Sequence, residues 1–252
     1  MDALLDLILS VADDMLLRGH RNSDWTGLAP ILEEDIAFSA LAQDDLAHAS
    51  ALYEFVAPRA GKSPDALALG RAPREYRSSA LYEPSDEFDW AAALLRQALG
   101  TSWDVIRLER LARGTSNAPL AALSRRILSE ATLARDHAAR WIERLGADTV
   151  ARQRLQHALD RLIPVTADLT AETAGAATLA ASGEYPPHPA GDERELWKAR
   201  VCSVMGRAGL TLGAFPPLAA DGGGRRGIRG PALDTILDEM AEVYRSAPDA
   251  AW

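Results

Sequence analysis

The 252 residues are 48% hydrophobic and 25% charged, an ordinary globular composition that excludes a predominantly disordered chain. Asp and Glu number 36 against 27 Lys and Arg, giving a net charge of −9 that argues against nucleic-acid or anionic-membrane binding. The single cysteine, Cys202, cannot form an internal disulfide. Met1-Asp2 opens without a basic leader region, and no apolar run approaches the ~20 residues of a membrane span, so the expectation is a cytoplasmic protein.

Strand signals are nearly absent and helical periodicity runs throughout. Leu4 to Leu16 places Leu4, Ile8, Val11 and Met15 on one face, with Gly19 as the expected stop. Pro30 suits the first position of a second helix running to about Val56, ahead of Pro58 and Gly61. The stretch from Gly61 to Asp86, with Pro64, Pro73 and Pro84, reads as an irregular excursion. A third helix spans roughly Phe88 to Arg113 and ends at Gly114. Ser116 or Asn117 can cap a fourth, which runs to Leu145 and stops at Gly146. A fifth follows with Pro164 as its kink. After the break at Tyr185–Gly191, a sixth covers Glu193 to Leu210. A glycine-rich basic loop, LAADGGGRRGIRG, then leads to a last helix from Pro231 to about Tyr244.

No composition shift separates domains, so residues 1–252 read as one all-α domain. Two long helical hairpins joined by a crossover form a ferritin-like four-helix bundle over about 2–146, with additional C-terminal helices over about 147–252.

Polar residues inside the apolar stripes point to a possible site. Asp45 shares a face with Phe38, Leu41, Ala49, Leu52 and Val56, and His48 stands beside it at i+3. A carboxylate and an imidazole at that spacing copy half of the di-iron pattern, which needs Glu-x-x-His on two helices and one Glu from each of the other two. On the fourth helix Glu130 falls on the stripe of Leu123, Ile127, Ala134 and Trp141, but Leu133 stands where the second histidine belongs. His137 lies two turns further on, ~10 Å away at 1.5 Å per residue, too far to share one iron with Glu130. The third helix offers Asp104 and the first Asp14, at the flank of its apolar face, both shorter than Glu. With a ligand missing and three shortened, the set reads as a vestigial polar core of Asp14, Asp45, His48, Asp104 and Glu130. No catalytic residue and no metal ligand is assigned. Internal pairs such as Asp45 with His48, or Glu130 with Arg126, satisfy such groups without a metal.

Other chemistry is weaker. There is no Gly-x-Ser-x-Gly elbow, and GGGRRG lacks the Gly-Lys-Ser/Thr of a P-loop. Arg225, Arg226 and Arg229 form a dense basic cluster that could grip a phosphate or an acidic partner surface. His20, His157 and His188 read as surface or loop residues without special roles.

Three segments carry a resemblance over nearly the whole chain: DWTGLAPILEEDIAFSALAQDDLAHA from Asp24 to Ala49, Glu130 with Arg140-Trp141-Ile142-Glu143-Arg144-Leu145-Gly146, and GGGRRGIRGPALDTILDEM leading to the terminal Trp252. In order and spacing they resemble the C-subunit family of phenylacetyl-CoA epoxidase. The resemblance implies a non-catalytic, ferritin-like structural subunit that binds no cofactor itself. It docks with a catalytic A subunit holding the di-iron centre, alongside a B subunit and a reductase, in aerobic phenylacetate breakdown. It also implies that Arg225, Arg226 and Arg229 lie near the A subunit and touch the phosphates of CoA. A permanent partner calls for an interface of over ~2,000 Å² on the long helices, with homodimerisation of the isolated chain left open. Two other readings stand beside it: a free-standing di-iron ferritin-like oxygenase or iron-binding protein, and a helical acyl-CoA binding module.

Overall fold

The computed structural model describes residues 2–83, 88–228 and 230–247. The fold is all-α, with no strand among the described residues. Helices α1 (Ala3–Ser23) and α2 (Leu32–Ala60) form the first long hairpin; α4 (Trp90–Gly114) and α5 (Ala118–Gly146) form the second. This is the chain order of the paired helices in a ferritin-like bundle. Between the hairpins lies the short α3 (Pro64–Ala68), with 3₁₀ turns at Pro73–Glu75 and Ala80–Tyr82. After them come α6 (Thr149–Leu162), α7 (Ala174–Ser182), α8 (Glu193–Arg207), α9 (Pro231–Met240) and α10 (Glu242–Ser246).

The chain divides into two compact units. The first comprises Met1–Asp86, Glu172–Gly175 and Asp221–Trp252; the second comprises Glu87–Ala171 and Ala176–Ala220. Each unit therefore holds one long hairpin and part of the C-terminal chain.

In the first unit α1 and α2 run antiparallel, with side-chain partners at 18 and 45, 13 and 53, and 2 and 59. Gly19 does not end α1. A Cβ there would lie 3.1 Å from the Ala42 carbonyl oxygen and 3.0 Å from Leu46, so the glycine lets the two helices close on each other. Helix α2 starts two residues after Pro30, with acidic Glu33, Glu34 and Asp35 in its first turn complementing the helix dipole. It runs past Pro58, which sits in the last turn, and stops at left-handed Gly61. Ile8, Val11 and Met15 are fully buried as the periodicity predicts, but α1 is buried on every side from Asp6 to Gly19, including four charged residues.

The second unit keeps closer to expectation. Asp89 caps α4 by accepting from the Ala91 N–H at 3.0 Å, and Asn117 caps α5 by accepting from Leu120 N–H at 3.0 Å. The buried face of α5 comprises Leu120, Ser124, Ile127, Ala131, Ala134, Ala138 and Ile142, with small residues at its centre where α4 packs. It ends at Gly146, where a Cβ would fall 2.3 Å from the Ala208 carbonyl oxygen. Pro164 does not kink a helix; α6 has already ended, and the proline opens a 3₁₀ turn, Pro164–Asp168. Helix α8 stops at Arg207, ahead of left-handed Gly209, and the last expected helix is interrupted at Ala241. Trp197 of α8 is fully buried, donates its indole N–H to the Leu99 carbonyl at 3.0 Å, and meets Phe215 edge-on.

Candidate functional site: a polar core closed by arginines

Helix α1 carries the polar core of the first unit. Asp6 accepts from Arg77 Nε at 3.0 Å and from the Gly175 N–H at 2.8 Å. Asp13, fully buried, binds the Arg71 guanidinium with both oxygens and accepts from the Tyr53 hydroxyl at 2.7 Å and the Arg77 N–H at 2.6 Å. Asp14 accepts from the Ser79 N–H at 2.8 Å and takes Arg225 in a two-pronged pair at 2.9 and 2.8 Å. One turn on, Arg18 reverses the charge: its Nε and Nη2 donate to the two oxygens of Asp45 at 2.8 and 2.5 Å. Side chains three and four apart stand on one helix face, so Asp14 and Arg18 are neighbours that each look to a different partner.

The electrostatics follow from burial. Removal from water pushes the Tyr53 hydroxyl well above its ordinary range, and the negative charge of Asp13 adds to the effect. Tyr76 is also raised, chiefly by burial, while the Arg71 guanidinium sits 4.0 Å over its ring. Burial works against the charge of Arg71, but Asp13 and Tyr53 outweigh it and hold the guanidinium protonated beyond its usual range.

These pairs decide what the vestigial set can hold. Asp45 and His48 are both buried on α2, yet Asp45 pairs with Arg18 rather than presenting free oxygens beside the imidazole. Asp14 lies fully buried instead of at a flank, and Arg225 engages both its oxygens. In the second unit Asp104 is fully buried, with Arg107 Nη2 2.5 Å from its Oδ1. Glu130 is half-buried rather than central, as are Leu123, His137 and Trp141, and Arg126 is exposed. Leu133 is 68% exposed, so position 133 points away from the inward Ala131, Ala134 and Ala138. No group of three His, Cys, Asp or Glu side chains converges among the described residues. A di-iron centre needs free carboxylate oxygens and imidazole nitrogens turned to a common point, and these residues do not fit it.

Internal pairing extends to the basic loop. Arg225 is buried, bonded to Asp14 and to the backbone carbonyls of Arg77 at 2.8 Å and Ser10 at 3.3 Å, so it is not placed to receive a phosphate. Left-handed Gly222 and Gly227 bracket the 3₁₀ turn Gly223–Arg226 that drives it inward. At Gly227 a Cβ would fall 2.0 Å from the Arg74 carbonyl oxygen. Arg226 is exposed, its stem lying across Gly222; Arg229 lies outside the described residues. His188, expected to be a plain loop residue, is buried. Its Nδ1 accepts from the Ala190 N–H at 3.2 Å, leaving Nε2 to donate to Glu109 at 2.9 Å. Beside it Arg110 binds the Pro186 and Tyr185 carbonyls, each at 2.7 Å, and Glu193 at 3.0 Å, so the break at Tyr185–Gly191 is pinned. His157 and Cys202 are exposed.

Sequence periodicity misses Asp6, Asp13, Arg18, Arg71 and Arg77 as members of the first unit's polar core, and Arg107 as the partner of Asp104 in the second. The available signal is LDLILSVADDMLLRG, where apolar residues surround the acids and the arginine on all sides of the helix.

The profile of the family described as "Phenylacetic acid catabolic protein" matches residues 1–252. The chain belongs to that family. It is 31% identical over 255 residues to the C subunit of 1,2-phenylacetyl-CoA epoxidase from Escherichia coli (strain K12), with 100% of each chain covered. In this phenylacetic acid catabolic protein the segment from Asp24 to Ala49 forms the connection into α2 and most of its length. Arg140–Gly146 is the end of α5, and GGGRRG is the turn that inserts Arg225. No helix among the described residues is long and apolar enough to cross a membrane.

Proposed function

We propose that this chain is a non-catalytic structural subunit of a phenylacetyl-CoA epoxidase, supporting a separate di-iron catalytic A subunit in cytoplasmic phenylacetate breakdown. The observation that carries the reading is the set of guanidinium partners on Asp14, Asp45 and Asp104. A ferritin-like di-iron protein presents carboxylates to iron from the facing helices of its bundle. Here an arginine from the same unit lies against each of the three carboxylates and supplies a positive counter-charge. Full-length similarity to an epoxidase C subunit supports the assignment to that complex. The B subunit and the reductase complete the assembly on this reading. Exposed Arg226, with Arg229, is left as the contact for a CoA phosphate or a partner acid, a role that Arg225 gives up.

The test is iron per chain in the protein purified alone from iron-rich medium, followed by co-expression with the A subunit. The expected result is negligible iron and no turnover alone, with a stable complex and epoxidation of phenylacetyl-CoA once the partners are present. Close to two irons per chain in the isolated protein sinks the proposal and favours a free-standing di-iron oxygenase. Tight CoA-ester binding without any partner favours an acyl-CoA binding module.

A further inference from the structure

The connection between α1 and α2 exposes more apolar surface than a solvated turn requires. Leu28 is 63% exposed, Ile31 46%, Leu32 69% and Ile36 62%, four large aliphatic side chains within nine residues. Leu32 and Ile36 lie one turn apart on the same face of α2. The preceding segment is folded back onto that helix: the Gly27 N–H donates to Asp35 at 2.6 Å, and the Thr26 and Ser39 hydroxyls are 3.0 Å apart. The residues just before Leu28 are thereby held against the first turns of α2, which brings the four side chains into one neighbourhood. Single exposed leucines are ordinary, whereas a clustered and anchored group marks an interaction surface.

The charge around the patch restricts what can cover it. From Asn22 to Pro58 there is no Lys or Arg, while Asp24, Glu33, Glu34, Asp35, Asp44, Asp45 and Glu54 all fall in this stretch. Glu34 and Asp45 are buried; Glu33, Asp44 and Glu54 are exposed along α2. An anionic lipid surface or a nucleic acid is repelled by such a face. A second copy meeting it through a two-fold axis would set acid against acid. What fits is a different protein face, apolar at the centre and rimmed with Lys or Arg.

We infer that the α1–α2 connection and the outer face of α2 are the docking surface for the basic-rimmed catalytic subunit, a conclusion that rests on the proposed function. Leu28, Leu32 and Ile36 are the apolar anchors. Glu33 and Asp44 steer the encounter and reject self-association.

The test compares wild-type chain with L32D/I36D, E33K/D44K and the control L133D for binding to purified catalytic subunit, by calorimetry and native mass spectrometry. All these positions are exposed, and unchanged circular dichroism and melting confirm folding. L32D/I36D is expected to bind at least a hundredfold more weakly and L133D to bind like wild type. Wild-type affinity is expected to fall with added salt, and E33K/D44K to lose most of that dependence. Wild-type binding by L32D/I36D overturns this surface assignment alone. So does an isolated chain that dimerises and becomes monomeric only in L32D/I36D, because the occupant is then a second copy. Failure of wild type itself to bind the catalytic subunit overturns the functional reading and the docking surface together.

Discussion

Replacing Arg225 with methionine removes a guanidinium and keeps most of the buried stem volume. In the wild type that group gives two hydrogen bonds to Asp14, at 2.9 and 2.8 Å, and others to the carbonyls of Arg77 and Ser10. After the substitution Asp14 loses the two-pronged guanidinium contact and keeps the Ser79 N–H, while remaining fully buried on α1. Breaking a buried pair from one side costs about 3–5 kcal/mol, because the remaining buried charge loses its counter-ion. At 1.36 kcal/mol per factor of ten, that is roughly two to four powers of ten in the unfolding equilibrium. D14N/R225M removes both charges and leaves an acceptor for Ser79, so it should cost about 1–3 kcal/mol, less than R225M alone. The chain has two compact units, so one global melt mixes their transitions. Hydrogen exchange followed by mass spectrometry separates them, and lost protection should appear in peptides covering 3–23 and 71–83. An R225M protein within about 1 kcal/mol of wild type in those peptides refutes the argument that Arg225 is a structural counter-charge.

Alkaline stability should be set in part by Tyr53 and Tyr76. Both hydroxyls are raised in the folded state by burial, so the unfolded chain loses these protons first and stability falls as pH climbs beyond about 10. Urea midpoints measured from pH 8 to 11 should show that fall, and Y76F should flatten it. Asn117→Ala removes the α5 cap and should cost about 0.5–2 kcal/mol, read as lost hydrogen-exchange protection in peptides from the second unit. Gly227→Ala places a methyl against the Arg74 carbonyl at a left-handed φ of 76°, so it should destabilise the first unit by about 1–3 kcal/mol. Equal protection of peptides 71–83 in G227A and wild type would show that the loop relaxes freely.

How far the sequence speaks depends on how local the determining physics is. Helix α5 is legible because its signals are adjacent: Asn117 caps it, its apolar residues repeat at helical spacing, and Gly146 ends it. Gly19 misleads because a glycine that stops a helix and one that lets two helices touch are identical in sequence; only Ala42 and Leu46 across the hairpin distinguish them. Helix α7 escapes notice because its alanine-rich stretch has no contrasting polar face. The carboxylates Asp14, Asp45 and Asp104 are marked as core residues by their place among apolar neighbours, but their partners are not. Arg107 lies three positions from Asp104 and is within reach of a local search. Arg18 is 27 positions from Asp45 and Arg225 is 211 from Asp14, separations at which no periodicity operates.

The pairing of Asp14 with Arg225 also carries a consequence for the order of assembly. Helix α1 is synthesised ahead of its partners, and the charge that pairs with Asp14 follows 211 residues later. Asp6 likewise waits for the backbone at Gly175. The α1–α2 hairpin can form early, whereas Asp14 lacks the Arg225 guanidinium until that residue has been made. A nascent chain stalled before Arg225 therefore exposes an acidic, half-closed first unit to chaperones and proteases. A chain that has passed this point conceals it, so the clasp at Arg225 marks chains whose synthesis has gone beyond the basic loop.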